Sequence, residues 1–223
     1  MAVQIQFPDP DQADDDGLVA VGGSLSPDFL LAAYSQGVFP WFNEGEPILW
    51  WSPNPRMVIL PGKFKCSKSL MQTLRSGKFK ISMDQNFEDV IRKCSAIKRP
   101  GQQGSWITND MIEAYIKMHE EGWAHSVEVY LDEVLVGGLY GISMGKAFFG
   151  ESMFHLVRDA SKVALYYLVG LAVKWDFHFI DAQQSTAHLK SLGAEDMPRH
   201  EFLKLLVKSL EYPSIQGKWD INI

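Results

Sequence analysis

Hydrophobic residues recur along this chain with the two periods that distinguish strands from helices. Residues 124–131 alternate between apolar and polar positions, which predicts a strand. Residues 136–154 form two apolar runs around Met144 and Gly145, which predicts a hairpin with a tight turn. In residues 86–96 the apolar positions fall at i, i+3, i+4 and i+7, the pattern of an amphipathic helix.

The remaining elements are predicted from end signals and shorter patterns. Ser26 and Pro27 predict the start of a helix, because Ser is a common N-cap and Pro suits the first helical position. Gly37 suits the position just past the end of that helix. Further helices are predicted over residues 68–75, 108–121, 160–175, 186–192 and 198–210, and further strands near residues 4–7, 56–61, 78–83 and 177–181.

One carboxylate stands out within the predicted hairpin. Glu151 follows Gly150 in a stretch that is otherwise rich in phenylalanine and methionine. Glycine inside a strand usually marks a bulge or a close approach of another group. Two interpretations are open: a core hairpin whose glutamate points to water, or an apolar pocket with one polar group aimed inward, as in small-ligand sites.

A second pair of polar residues follows the short apolar run that begins at residue 177. Asp181 and Gln183 are two positions apart, and residues at that spacing in an extended segment point the same way. We therefore expect them to share a face where the chain leaves a sheet. No Ser-His-Asp arrangement is apparent and neither cysteine lies in a catalytic motif, so no covalent nucleophile is predicted.

Composition indicates a folded chain that stays in a reducing compartment. The 223 residues are 46% hydrophobic and contain two cysteines, too few for a disulfide framework or a cysteine-based metal site. The first residues lack the basic and apolar regions of a secretory signal. The longest apolar run, 164–173, is half the length of a membrane span of about 20 residues. We expect a cytoplasmic protein without a metal.

Charge is distributed unevenly, although the whole chain carries only −6. Residues 1–55 carry −8, residues 56–99 carry +8 and residues 100–223 carry −6. A basic band inside an acidic protein is a candidate surface for a phosphate backbone, or else a solvated face compensated by acids elsewhere. We define the basic band by its members Lys63, Lys65, Lys68, Arg75, Lys78 and Lys80.

Residues 38–61 combine five Phe and Trp side chains with several prolines, which predicts poor strands but rigid stacking surfaces for bases or sugars. For Trp50 and Trp51 a small aromatic core is the better interpretation, whereas Trp41 is the better stacking candidate. The polar loop 98–105 lacks the spacing of a Walker or Rossmann motif, so it is weak evidence for a phosphate site.

Several of these motifs, taken together and in order, resemble the leucyl/phenylalanyl-tRNA–protein transferase family. That family adds Leu or Phe to proteins that begin with Arg or Lys. The motifs that carry the resemblance are GLVAVGGSLSPDFLLAAYSQGVFPWF (17–42), PILWWSPNPR (47–56), SWIT (105–108), HSVEV (125–129), VGGLYG (136–141), FGESMF (149–154), ASK (160–162), IDAQ (180–183) and SLGA (191–194).

The resemblance implies a mixed α/β (α+β) fold with a small N-terminal α/β domain and a GNAT-like domain of the acyl-CoA N-acyltransferase superfamily. The composition shift at Pro61 and Gly62 sets the predicted boundary, with residues 1–61 in the first domain and 62–223 in the second. No Gly-rich pyrophosphate loop precedes a helix, which argues against dependence on coenzyme A. No cofactor is expected.

The resemblance also implies a role for particular residues. Asp181, Gln183 and Glu151 match the polar catalytic residues, and Trp41 and Trp106 match tryptophans associated with the terminal adenosine of the tRNA. An apolar pocket for the aminoacyl side chain is implied at Leu139, Phe148, Met153, Leu165, Leu168 and Ile180.

We expect no enzyme nucleophile in the reaction, because the aminoacyl ester is already activated and bringing two substrates together itself lowers the barrier. Gln183 would orient the amine, with Asp181 fixing the amide, and Glu151 would favour the cationic acceptor. Leu168 and Ala172 stand where aromatic residues are expected in this family. The pocket is therefore expected to be wider, which affects the ranking of Leu, Phe and Met donors.

The partners expected are Leu-tRNA or Phe-tRNA and acceptor proteins with an N-terminal Arg or Lys, which the transfer would mark for degradation. No membrane is expected, and the protein is expected to be a monomer. Two other functions are considered: an N-acyltransferase that uses acyl-CoA, and a non-catalytic tRNA-binding module.

Overall fold

A computed structural model describes residues 5–14, 16–97 and 105–220. The strands are β1 Leu18–Val21, β2 Phe39–Pro40, β3 Leu49–Trp51, β4 Arg56–Ile59, β5 Lys80–Met83, β6 Ala124–Leu131, β7 Val134–Met144, β8 Ala147–His155, β9 Phe179–Gln183 and β10 Glu195–Met197. The helices are α1 Pro27–Ser35, α2 Lys68–Arg75, α3 Phe87–Ala96, α4 Asn109–Glu120, α5 Ala160–Lys174, α6 Ala187–Ser191 and α7 Arg199–Leu210.

A seven-stranded sheet forms the centre of the molecule, in the order β10-β4-β9-β8-β7-β6-β5. Neighbouring strands are antiparallel except β8 and β9, which run parallel. Helices α2 and α5 pack on one face, and α1, α3, α4 and α7 contribute to the core on the other. The predicted mixed α/β class is confirmed by this arrangement of sheet and helices.

A second sheet of three short strands, β1-β3-β2, lies in the N-terminal part of the chain. The prediction that residues 38–61 make poor strands is wrong for β2 and β3, since Phe39 pairs with Trp51 and Pro40 with Trp50. Proline is tolerated here because β2 is an edge strand. Trp50 is fully buried against Phe7 and Phe29, as the core interpretation predicts.

Helix ends largely follow the predicted signals. Pro27 is the first residue of α1, and Gly37 lies just beyond its end with φ of +78°, a conformation that favours glycine. The Thr108 side chain accepts a hydrogen bond from the Met111 amide at the start of α4. The other predicted helices form within a residue or two of their expected bounds.

Differences from the predicted elements concern short strands. Residues 5–9 form no strand, and Gln4 lies outside the described residues, as do residues 98–104 of the predicted polar loop. Strands β1 and β10 were not predicted. The domain boundary after Pro61 stays a prediction; β4, on its N-terminal side, pairs with β9 and β10 of the large sheet. Over the described ranges no helix has the length and apolar character to cross a bilayer.

Candidate active site

Glu151 lies on β8 at an irregularity of the β7–β8 pairing, where Tyr140 pairs with Ser152 and Gly141 with Gly150. The bulge depends on glycine, because a Cβ on Gly141 would lie 2.1 Å from the carbonyl oxygen of Phe149. Only 7% of Glu151 is exposed. The chain therefore buries a single carboxylate at an irregular point of its central hairpin.

Three side chains donate hydrogen bonds to that carboxylate. Tyr34 donates to Oε1 at 2.7 Å, Tyr115 to Oε2 at 3.0 Å and the Gln183 amide nitrogen to Oε1 at 2.8 Å. The two tyrosine hydroxyls also contact each other. Glu151 thus points into the molecule, and the interpretation in which it points to water is wrong.

Burial raises the pKa of Glu151 to about 7, because a charge loses solvation in this environment, while the hydrogen bonds from Tyr34 and Tyr115 lower it. The nearby charge of Asp181 raises it further. A carboxyl group that titrates near neutrality can take up and release a proton under physiological conditions.

Asp181 has a different environment, although it is fully buried close to Glu151. Arg56 on β4 donates two hydrogen bonds to it, Nε to Oδ1 at 2.9 Å and Nη2 to Oδ2 at 2.6 Å. The guanidinium also lies over the rings of Phe39 and Phe202, 4.7 and 4.5 Å from their centroids. Both oxygens of the Asp181 carboxylate therefore bind the buried Arg56 guanidinium in a bidentate ion pair.

Gln183 ends β9 in the left-handed region, with φ of +63°. Its main-chain N–H donates to Asp181 Oδ1 at 2.9 Å, while its side-chain amide donates to Glu151. The expectation that Asp181 fixes the Gln183 amide is therefore wrong, because Glu151 holds the amide nitrogen and Asp181 holds the main chain. No hydrogen bond to the amide oxygen of Gln183 comes from the described residues, so it can accept one from a substrate.

An apolar cavity of about 490 Å³ opens beside these polar residues, within the range of small-ligand sites. Glu151 and Asp181 contribute to its lining, and His155, Ser161 and His188 line it as well. Ala172 is buried outside the lining residues. All six residues of the implied aminoacyl pocket line this one cavity: Leu139, Phe148, Met153, Leu165, Leu168 and Ile180.

A smaller cavity of about 170 Å³ adjoins the first. Trp41 and Trp106 both line it, although they are 65 positions apart in the chain. Gln183 also lines it, and Glu151 lines both cavities. The two cavities therefore meet at the buried carboxylate, with an indole-lined space on one side and an apolar space on the other.

The basic band lies at the surface, and all six of its residues are exposed. Lys63 forms an ion pair with Glu195 at 2.9 Å, and Lys80 forms one with Glu133 at 3.3 Å. Lys78 lies over the ring of Phe79. The band is thus partly compensated by acids, and Lys98 and Arg99 of the wider basic segment lie outside the described residues.

Sequence reasoning missed three residues of this site. Arg56 and Tyr34 lie within the motifs given above but have no role assigned there, and no sequence pattern singles out Tyr115. An arginine that opens the apolar run RMVIL is a signal for a buried partner, since a buried charge needs compensation. Among the described residues, no group of three or more His, Cys, Asp or Glu side chains could hold a metal ion.

Comparison with known proteins agrees with the motifs. The family model described as leucyl/phenylalanyl-tRNA protein transferase matches residues 58–207, and the model of the N-terminal domain of the same family matches residues 23–54. The chain is similar to a leucyl/phenylalanyl-tRNA–protein transferase of Anaeromyxobacter sp. (strain Fw109-5), with 51% identity covering 98% of this chain and 93% of that protein.

A transferase of the same name from Legionella pneumophila (strain Lens) is also 51% identical, covering 97% of this chain and 96% of that protein. Among solved structures, the chain is similar to a GCN5-related N-acetyltransferase from Kribbella flavida, with a TM-score of 0.39 and 9% identity, covering 77% of this chain and 61% of that one. With family models matching most of its length and relatives sharing half of its residues, the chain belongs to the leucyl/phenylalanyl-tRNA protein transferase family of aminoacyltransferases.

Proposed function

We propose that this protein transfers a leucyl or phenylalanyl group from the 3′ end of an aminoacyl-tRNA to the α-amine of a polypeptide. One observation carries the proposal: two cavities of different character meet at Glu151. The transfer needs a recess for an apolar side chain, a surface for a nucleoside and a polar group between them. The two cavities and the carboxylate supply one of each.

The donor occupies both cavities. Its side chain enters the apolar cavity against Phe148 and Leu165, and its terminal adenine stacks on Trp41 or Trp106. The ester that joins the amino acid to the ribose then lies near Glu151. Methionine is apolar and flexible, so it can enter the same cavity, but it loses more rotamer freedom there than Leu.

The acceptor brings an α-ammonium group to the carboxylate. Glu151 takes one proton from it, and the amide oxygen of Gln183 orients the resulting amine toward the ester carbonyl. A C–N bond forms and the C–O bond to the ribose breaks. The leaving ribose oxygen takes up the second proton lost by the nitrogen. Holding both substrates in this geometry supplies much of the rate enhancement.

Acceptors that begin with Arg or Lys suit this site for electrostatic reasons. The chain carries −6 overall, which favours a cationic first side chain. Glu151, which has no cationic partner among the described residues, binds the α-ammonium group, whereas Asp181 is paired with Arg56. The basic band would bind the tRNA backbone. Cytoplasmic location, the monomeric state and the marking of acceptors for degradation stay predictions.

The direct test is incubation of the protein with Phe-tRNA that carries labelled phenylalanine and with a peptide that begins with Arg. We expect label in the peptide. The same peptide with an acetylated N-terminus is the matched control and should remain unlabelled. Transfer from phenylalanyl-coenzyme A instead of the tRNA, or binding of tRNA without single-turnover transfer, would contradict the proposal.

A further inference from the structure

We propose that the acceptor polypeptide binds as an added strand along the open edge of β8, with its first amine beside Glu151. The inference rests on the proposed function and assigns the binding mode of its second substrate. It concerns residues of β8 beyond the point where β9 leaves it.

Strands β8 and β9 are neighbours over only three residue pairs. The pairing runs from Ala147 opposite Phe179 to Phe149 opposite Asp181. β8 then continues to His155, and β7 is its only paired strand there among the described residues. Within the described parts of the chain, the side of β8 that faced β9 is therefore an open strand edge beyond Phe149.

The apolar cavity lies at this edge, in the plane of the sheet. Every residue from 150 to 155 lines it, although successive residues of a strand point to opposite faces. A cavity on one face would be lined by every second residue. Leu165, from the core on the α5 side, and Tyr140, from the core on the other side, both line it too, so the cavity passes through the sheet.

The pairing with β7 shows which main-chain groups face the opening. The N–H of Leu156 donates to the carbonyl of Val136 at 2.7 Å. In an antiparallel pair such hydrogen-bonded positions alternate with positions whose N–H and C=O point the other way. Phe154 therefore bonds toward β7, while the main-chain groups of Met153 and His155 point toward the cavity.

An extended polypeptide is the occupant that matches this edge. It offers alternating N–H and C=O groups along its length, which is the basis of recognition by strand addition. Charge fixes its direction, because Glu151, where the apolar cavity meets the smaller one, complements an α-ammonium group. The acceptor chain then runs outward toward His155, parallel to β8. It takes the part of the cavity along residues 152–155, while the donor side chain takes the part lined by Phe148 and Leu165.

This geometry predicts a register. In a parallel pair, one residue bonds to two residues that flank its opposite number. The carbonyl of acceptor residue 1 accepts from the N–H of Met153. Acceptor residue 3 lies opposite Phe154, donates its N–H to the carbonyl of Met153 and accepts from the N–H of His155. The N–H of acceptor residue 4 points away from β8.

Strand addition recognises the main-chain N–H and C=O groups of the acceptor and not its side chains. The side chains that follow acceptor residue 1 can therefore vary widely. The charge of the α-ammonium group is recognised by Glu151 instead. The surface fits a partner of defined chemistry: the free, extended N-terminal segment of a protein.

The test uses three acceptor peptides that begin with Arg followed by four alanines: one unmodified, one N-methylated at residue 3 and one N-methylated at residue 4. The two methylated peptides are isomers, and each is assayed for phenylalanyl transfer. We expect methylation at residue 3 to lower kcat/KM for the peptide about tenfold, since it removes a main-chain hydrogen bond and adds bulk at the edge. Methylation at residue 4 should leave it within about twofold of the unmodified peptide, because that N–H has no bond to β8 to lose.

Equal kcat/KM values for all three peptides would overturn strand addition while leaving the transferase function intact. Equal losses for both methylated peptides would overturn it as well, because the edge would then not distinguish alternate residues. Absence of transfer to the unmodified peptide would reject the proposed function itself, and the inference with it.

Discussion

Glu151 and Asp181 are two buried carboxylates of one site whose partners give them different chemistry. Asp181 faces a guanidinium, and the bidentate pair keeps its charge compensated. Glu151 faces neutral hydroxyl and amide donors, and burial outweighs their effect on its pKa. Removing the Asp181 carboxylate would leave the buried Arg56 guanidinium without its counter-ion, so Asp181→Ala tests stability as well as catalysis.

Glu151→Gln tests the carboxylate through its effect on folding. The folded-state pKa is about 7 against an ordinary value of 4.5, so the folded chain keeps a proton that the unfolded chain has lost. Wild-type stability therefore falls as pH rises from about 4.5 to 7, by about 3 kcal/mol in total. We expect Glu151→Gln to exceed wild type in urea denaturation at pH 8, and to match it below about pH 4.5.

The same variant should lose transfer activity. If Glu151 accepts the ammonium proton, single-turnover rates of the wild type rise as pH passes about 7, and Glu151→Gln loses that rise along with about 100-fold in rate. Glu128→Gln is the matched control, because Glu128 is also buried, with a pKa raised by burial, and lies outside the lining of both cavities. An unchanged pH profile in Glu151→Gln would contradict the assignment.

For individual residues, the sequence indicates which acidic side chains belong to the candidate site but not which side chains contact them. Glu151 could be singled out because it is isolated in an apolar hairpin. The Arg56–Asp181 pair joins residues 125 positions apart, and no local pattern reveals a partner at that distance. Tyr34 and Tyr115 fit an apolar helix face equally well whether or not their hydroxyls are used.

Among the elements, helices were predictable where caps and periodicity agreed. α1 has a proline at its first position and α3 has a four-residue apolar stripe, so local signals and packing specify the same bounds. β2 and β10 have two and three residues, and their pairing partners lie elsewhere in the chain. Strands this short carry no usable alternation, so they could not be predicted.

The divergence of β8 from β9 is likewise a tertiary feature. Each strand is visible in the sequence as an apolar run, but their parallel pairing over three residues depends on how α5 connects them across the sheet. Family motifs could therefore imply the residues of the apolar cavity, whereas its position in the plane of the sheet became clear only from the strand pairing.

Helix α5 offers a test of donor selection. Leu168 is 2% exposed and lines the apolar cavity from that helix. We expect Leu168→Phe to fill part of the cavity and to lower kcat/KM for Phe-tRNA relative to Leu-tRNA about tenfold, within the 1–3 kcal/mol range of apolar pocket discrimination. Parallel transfer assays with the two charged tRNAs measure the ratio.

Val173→Phe is the control for Leu168→Phe, since it adds an aromatic ring to the same helix at a side chain that is 58% exposed. It should leave the ratio of the two donors unchanged. Thermal unfolding of both variants separates pocket filling from overpacking, which costs about 1–3 kcal/mol. If the ratio of kcat/KM for the two donors changes equally in both variants, Leu168 does not determine donor selection.

Across the whole molecule, charge is segregated by sequence but partly neutralised in space. Residues 1–55 carry −8 and residues 56–99 carry +8. Lys63 and Lys80 of the basic band already have acidic partners, and such exposed pairs contribute only about 0–1 kcal/mol. A phosphate backbone can therefore replace these acidic partners at little cost to folding stability. The members of the basic band without acidic partners in the described structure are the stronger candidates for phosphate contacts.

Replacing Lys68, Arg75 and Lys78 together by alanine tests the basic band as a tRNA surface. If each contacts one phosphate, the slope of log K against log salt for tRNA binding should become shallower by about 2 to 3, because fewer counterions are released. The matched control replaces three exposed lysines elsewhere, Lys117, Lys174 and Lys204, which keeps the change in net charge the same. Both variants differ from wild type by three charges. An equal change of the slope in both would therefore show that overall net charge, and not contact with the basic band, determines the salt dependence of tRNA binding. A slope that changes only in the first places the tRNA backbone on residues 63–80, the same surface that the charge pattern of the sequence indicates.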